Sequence, residues 1–396
     1  MTNPPPAIAV SLASLHTPVQ SSFGFMEDAS IDLARPITHT REISELLANN
    51  AVVAISVSGG KDSQACAIAT NKHLNEIGHQ GPRVLIHADL GVVEWQDSLP
   101  TCERLAQHLG LELMVVRRQA GDMLDRWRGR WSNNVGRYRD LSCVKLILPW
   151  STPSMRFCTS ELKAAPLASA LRKRFPVHNI VNVVGIRREE SPNRSRMPVS
   201  AMDTRLTRKG AAGITWNAII DWPVAQVFKV IRDSGLALHE AYTKYQSSRV
   251  SCVYCIMGSL PDLMAAAQCE ANQDVYRDMV ELEAESTFAF QGNRWLADVA
   301  PQLLSASQKQ MITKAKRGSI ERQAAESKLP DHLLFAKGWP LALPSTEEAK
   351  LIAAVRRQVG SIVGIPTDFT NAYDVMARYM ELLTHKTSKE AEACLA

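Results

Sequence analysis

The stretch AVVAISVSGGKDSQACAIA, residues 51–69, admits few folds. Ala51 to Val57 is a run of small and β-branched residues, which suits a strand buried on both faces. Ser58-Gly59-Gly60-Lys61-Asp62-Ser63 cannot continue that strand, because two adjacent glycines permit positive φ and close approach to the backbone. From Lys61 onward the small apolar residues recur at helical spacing. A strand, a glycine turn and a helix start leave several N–H groups aimed at one point. Together with the helix dipole they favour an anion, most often phosphate. Ser58 and Ser63 add hydroxyl donors, and Lys61 adds a point charge. This is not the Walker A spacing, in which four residues separate the two glycines. The competing reading is a polar strand-to-helix turn without a ligand.

The rest of the first 260 residues repeats the alternation. RVLIHAD (83–89), LELMVV (111–116) and NIVNVVGI (179–186) read as strands, and 95–109, 160–175 and 224–236 as helices. Alternating strands and helices predict an α/β fold: a doubly wound, mostly parallel sheet covered on both faces. Ligands of such sheets lie beyond the carboxyl ends of the strands. The glycine turn, Asp89 and Gly185–Arg188 all fall there. Beyond 260 the strand signals fade, and 260–285, 299–325, 346–358 and 371–386 read as helices. The expected layout is an N-terminal arm at 1–35, a nucleotide-binding domain at 36–260 and a helical C-terminal appendage at 261–396.

Four stretches, in this order, resemble one superfamily. Ser58–Ser63 resembles the pyrophosphate loop (PP-loop) of the ATP pyrophosphatases. RFCTSELKAAPLASAL (156–171), VVGIRREESPNRS (183–195) and IIDWPVAQVFKVIRDSGLALHEAYTKYQSSRVSCVYC (219–255) resemble segments of its phosphoadenosine phosphosulfate (PAPS) reductase branch. The resemblance implies an adenine nucleotide alpha hydrolase-like fold and ATP cleavage between the α- and β-phosphates, with Mg²⁺ on the phosphates. It implies that Ser58, Gly59, Gly60, Lys61, Asp62 and Ser63 hold phosphates and that Asp89 and Gly185 lie near the nucleotide. Arg187 would reach the phosphates or the transferred group, and its guanidinium fork independently suits phosphate. A salt bridge to Glu189 or Glu190 is the alternative for Arg187. His239 matches a histidine of the family's His-x-x-Tyr link, either orienting a ligand or packing as a cap.

Cys252 and Cys255 form a Cys-x-x-Cys pair, a spacing shared by zinc sites, iron–sulfur sites and redox dithiols. In adenosine phosphosulfate (APS) reductases such a pair joins a Cys-Cys pair upstream to hold a four-iron cluster. Here Phe157-Cys158 stands in that place. Cys158, Cys252 and Cys255 are thus three candidate ligands for a [4Fe-4S] cluster, with Cys269, Cys143 or a non-protein group as the fourth. Zinc and plain thiols remain as alternatives. Cys66 reads as core.

Eight cysteines in 396 residues are no disulfide framework, which points to the cytoplasm. No apolar run is long enough to span a membrane, and the first residues lack the basic region of a secretory signal. The net charge of +5 names no partner by itself. Residues 117–139, however, interleave Arg117, Arg118, Arg126, Arg128, Arg130, Arg137 and Arg139 with Trp127, Trp131 and Tyr138. That pattern suits a nucleic-acid backbone and unstacked bases, and a solvated helix face is its alternative.

The intact Ser-Gly-Gly-Lys-Asp-Ser form resembles the ATP-cleaving members rather than the reductases. The tail KEAEACLA carries Cys394 without the reductases' neighbouring Gly and His. The expected function is an ATP-dependent adenylylating enzyme that supports sulfur transfer to a nucleic acid, similar in kind to the PP-loop ATPase of DNA phosphorothioation. A sulfur donor such as a cysteine desulfurase would serve it. The alternatives are a thioredoxin-dependent PAPS or APS reductase and a non-catalytic nucleotide-sensing subunit.

Overall fold

The computed structural model describes residues 35–395, with side chains to Lys386. The expected N-terminal arm, apart from Arg35, and the Cys394 thiol lie outside the described residues.

Six strands form one sheet: β1 (Val52–Val57), β2 (Arg83–Asp89), β3 (Glu112–Arg117), β4 (Ile180–Val184), β5 (Ser200–Met202) and β6 (Gly213–Trp216). Their order is β3-β2-β1-β4-β6-β5. All pairs are parallel except β5–β6. The expected α/β sheet is therefore present, with an antiparallel edge that the sequence did not announce. β1 is central, and five of its six residues are buried, as its unbroken apolar run requires.

Helix α1 (Arg41–Ala48) precedes the sheet. Helices α2 (Lys61–Glu76), α3 (Ser98–Leu109), α4 (Met123–Arg139), α5 (Ala165–Arg174) and α6 (Val224–Asp233) follow its strands. One face of the sheet buries Val53, Ile55 and Val57 with Ala65, Cys66 and Ala67 of α2 and with Val227 and Ile231 of α6. The other face buries Val52, Ala54 and Ile86 under Ala168, Leu171 and Phe175 on and just after α5. The chain leaves β1 toward β2 on one side and later returns to β4 on the other. The crevice between the carboxyl ends of β1 and β4 is thus the switch point where such sheets bind ligands.

The C-terminal region consists of α7 (Leu260–Gln268), α8 (Gln273–Ser286), α9 (Ala306–Glu326), α10 (Thr346–Val363) and α11 (Ala372–Leu395). Ser305 with Gln308 and Ser345 with Glu348 close capping boxes on α9 and α10. These helices share one core with the segment from Leu90 to Leu162. Trp127, Trp131 and Tyr138 belong to that core, at 2%, 3% and 0% exposure. Trp127 stacks edge-on against Trp150 at 5.4 Å, and Trp150 against Phe290 at 5.1 Å. Buried Arg356 of α10 donates to the carbonyls of Tyr138 (2.6 Å), Arg139 (3.0 Å) and Asp368 (2.8 Å). It thereby caps the carbonyl end of α4 with a cation.

This arrangement corrects the expectation for residues 117–139. Their aromatic rings are core and offer bases no face to stack on. Arg126 makes a two-pronged pair with Glu161, Arg117 bonds Asp89, Arg128 pairs with Asp278 and Arg139 with Asp140. Arg118, Arg130 and Arg137 bond backbone carbonyls. The segment is an amphipathic helix whose polar face is satisfied within the chain. No described helix is long and apolar enough to cross a membrane.

Candidate active site

The glycine turn sits at the switch point, between the end of β1 and the first turn of α2. Gly59 has φ +72°, and a Cβ there would stand 3.0 Å from the Ser98 carbonyl oxygen and 3.1 Å from His239 Cδ2. Only glycine fits both the conformation and the space. Gly60 occupies the N-cap of α2 without a side-chain cap, so the Asp62 and Ser63 N–H groups have no cap side chain across them. Ser63 braces the turn from within: its Oγ accepts from Ser58 N–H (3.2 Å) and donates to the Gly60 carbonyl (2.8 Å).

Gly185, just past β4, approaches α2 so closely that a Cβ would lie 2.5 Å from the Asp62 carbonyl oxygen. That approach brings Arg187 over the turn. Arg187 is buried, and its Nε donates to Asp62 Oδ1 at 2.6 Å while Nη1 pairs with Glu189. Burial opposes its charge, but the two carboxylates outweigh that and hold it more firmly protonated. Lys61 is also buried. Its Nζ lies 3.3 Å from the Ser248 carbonyl oxygen, 3.4 Å from Asp62 Oδ2 and 5.2 Å from the centre of the Tyr242 ring. The expected loop residues, Gly185 and Arg187 therefore form one site. Within it Lys61 and Arg187 share Asp62, one on each carboxylate oxygen.

Two contributors went unrecognised in the sequence, and a third, Tyr242, appeared there only as the tyrosine of the His-x-x-Tyr link. The Tyr242 hydroxyl accepts from Lys61 N–H and from Val250 N–H, both at 3.2 Å. The segment 247–250 lies across the turn as a strap. Asp262, itself buried, holds that strap by accepting from Ser248 N–H (2.8 Å) and Ser248 Oγ (2.9 Å), and it shares the single Ser247 hydroxyl proton (3.2 Å) with the Arg249 carbonyl. Burial would raise the Asp262 carboxyl, but these donors and Ser259 hold it below its usual range. The sequence signal for Asp262 was the Ser259-Leu-Pro-Asp262 helix start, a capping pattern with no hint of its second task.

His239 proves to be a cap. Its Nδ1 accepts from Ala241 N–H at 3.0 Å, and Nε2 meets Ser98 Oγ at 3.3 Å. Burial lowers it to about 4, against the pull of Asp97, so it is neutral near pH 7. His87, unremarked in the sequence, links the last residue of β1 to the next strand. Its ring bonds the Val57 carbonyl (3.0 Å) and Glu94 (3.1 Å). Burial alone would lower it, but Cys102 and Glu94 raise it to about 10.

Asp89 ends β2. It bonds Arg117 (2.9 Å) and Gly91 N–H (2.7 Å) and lines a cavity of about 380 Å³ with Glu94, Trp95, Leu99 and Asp274. None of residues 58–63 lines that cavity.

Burial pushes the Cys252 thiol up to about 12, with Lys163 opposing, and Cys255 and Cys158 lie within electrostatic reach. Among the described residues, however, no three or more His, Cys, Asp or Glu side chains are gathered to hold a metal ion. Cys269 is buried and bonds the Tyr245 hydroxyl instead of joining the other three. Buried Cys143 is influenced by Arg137 and Arg356, in the α4–α10 contact. Cys66 is core as expected, and its thiol is pushed up to about 12 by burial. Cys158 and Cys255 thus both neighbour Cys252, with no fourth described ligand gathered beside them.

Two solved structures are similar to this chain at low sequence identity. PAPS reductase from Candida auris, in a phosphate complex, is 14% identical with a TM-score of 0.33, over 55% of this chain and 98% of that one. The U34-tRNA thiolase NcsA from Methanococcus maripaludis, solved with its [4Fe-4S] cluster, is 13% identical with a TM-score of 0.35, over 65% and 83%. No curated protein matches the sequence. The phosphoadenosine phosphosulfate reductase domain matches residues 52–257, just over half of the chain and the whole span from β1 to the Cys-x-x-Cys pair. The chain belongs to the phosphoadenosine phosphosulfate reductase domain family.

Proposed function

We propose that the protein is an ATP-dependent adenylylating enzyme that supports sulfur transfer. The observation that carries this reading is the unbroken Ser58–Ser63 turn at the β1–β4 switch point, with Lys61 and Arg187 beside it. The turn's N–H groups stabilise the charge that grows on departing pyrophosphate, while Lys61 and Arg187 fix the turn's geometry through Asp62. An acceptor oxygen attacks the α-phosphorus, the bond to the bridging oxygen breaks, and pyrophosphate leaves. A sulfur nucleophile, delivered by a separate donor of the cysteine desulfurase class, then displaces AMP. Mg²⁺ bound with the nucleotide would offset the negative charge of its phosphates.

The proposed acceptor is a nucleic acid. Its support is an exposed face of α9, where Lys309, Lys314 and Arg317 surround a shallow depression with Gln310 and Thr313. A row of cations on one helix face suits a phosphate backbone.

The test is pyrophosphate release from ATP by the full chain, with DNA or RNA present, compared with Lys61→Ala. Release that Lys61→Ala abolishes supports the reading, and equal activity of the two proteins removes it. Family membership favours a second reading, a thioredoxin-dependent PAPS reductase. Sulfite release from PAPS, with no pyrophosphate from ATP, would establish that one.

A further inference from the structure

We infer that Arg249 is the cation that engages the ligand's phosphates at the turn, an assignment that rests on the nucleotide reading above. The two cations expected for this task are already neutralised within the chain. Lys61 lies against Asp62 and the Ser248 carbonyl, and Arg187 is bound by Asp62 and Glu189. A polyphosphate brings several negative charges, and a site whose own charges cancel attracts it weakly.

Arg249 is exposed, and among the described residues no hydrogen-bond or ion-pair partner holds its guanidinium. Its backbone, by contrast, is fixed on every side. Ser248 before it is pinned by Asp262 through both N–H and Oγ. Its own carbonyl accepts from Ser247 Oγ at 2.8 Å. Val250 after it donates to the Tyr242 hydroxyl, the same oxygen that accepts from Lys61 N–H. Val250 Cβ also lies 3.5 Å from the position a Cβ on Gly60 would take. Both neighbours of Arg249 thus touch the turn, and its charge is within electrostatic reach of the Tyr242 hydroxyl. A fixed backbone keeps the unpaired guanidinium beside the turn, where its planar fork can grip phosphate with two parallel hydrogen bonds.

Calorimetric titration of the full chain with ATP, pyrophosphate and adenosine tests the assignment. Arg249→Ala is expected to weaken ATP and pyrophosphate by about tenfold to a hundredfold. Adenosine binding and the melting temperature without ligand should not change, because the side chain is exposed. Arg249→Lys should recover part of the loss, since an ammonium keeps the charge but not the fork. Wild type that binds ATP and an Arg249→Ala variant that binds it equally well would overturn the role of Arg249 and leave the nucleotide reading intact. Equal weakening of adenosine would overturn the phosphate contact. Wild type that binds neither ATP nor pyrophosphate would overturn both.

Discussion

Arg187 Nε and Asp62 Oδ1 lie 2.6 Å apart, joining the segment after β4 to the first turn of α2. The pair closes the switch point: each residue comes from a different strand's carboxyl end, and both are shielded from water. Removing one partner leaves the other as a poorly solvated charge. Asp62→Ala strands both Lys61 and Arg187 and is expected to destabilise the chain by about 3 kcal/mol. Urea unfolding monitored by fluorescence reads this directly, and a change under about 1 kcal/mol would mean that the pair is solvated.

Gly185→Ala places a methyl group 2.5 Å from the Asp62 carbonyl oxygen, a backbone atom with no room to yield. The end of β4 must separate from α2, and Arg187 moves with it. The expected result is a loss of about 1–3 kcal/mol in stability and a larger loss in ATP affinity. Unchanged affinity would show that the β4–α2 spacing does not matter to the site.

Asp262→Ala removes the acceptor for Ser247 and Ser248 and the brace on the N-terminus of α7. Amide exchange at 247–250 should accelerate while exchange in β1 stays slow, because the strap can open without unfolding the sheet. Nucleotide affinity should fall with it. The carboxyl is held low when folded, so its stabilisation is present at neutral pH and lost as pH falls through its folded-state value.

Glu283, wholly buried in α8, accepts from Phe290, Leu296 and Ala297 N–H, yet burial raises its carboxyl from 4.5 to about 7. Between those values the folded chain holds a proton that the unfolded chain has released. Stability must therefore fall as pH rises from 4.5 to 7, by on the order of 3 kcal/mol from this group. Glu283→Gln should be weaker overall but should flatten that slope. Parallel slopes in the two proteins would place the carboxyl near its ordinary value.

His87 should behave in the opposite sense to a buried neutral histidine. Its folded value is raised from 6.5 to about 10, so its contribution is complete below about pH 6.5 and disappears as pH rises through 10. The ¹⁵N shifts of the ring at pH 8 should be those of an imidazolium. Neutral-ring shifts would remove the ion pair with Glu94.

The strands 51–57, 83–89, 111–116 and 179–186 were legible because buried parallel strands are unbroken apolar runs bounded by turn residues. Strands β5 and β6 were not, being three and four residues long with no such run. The glycines and Arg187 were legible as site residues because turn chemistry and anion chemistry are local. Trp127, Trp131 and the arginines around them were misread for the complementary reason. A sequence shows that rings and cations alternate, and not that Phe290, Glu161 and Asp278 come from elsewhere in the chain to cover them. That Cys269 meets Tyr245 is likewise a matter of packing.

Residue order alone dictated the parallel sheet, the anion-directed turn after its central strand and the helices at the far end, because each depends on periodicity and backbone freedom within a few residues. Which cations stand ready at that turn was settled by contacts between distant segments. Asp62 neutralises Lys61 and reaches Arg187 across 125 positions. Asp262 fastens the strap that leaves Arg249 unpaired beside the glycines. Charge pairing falls off with distance in space and is indifferent to separation along the chain, so no local pattern records it.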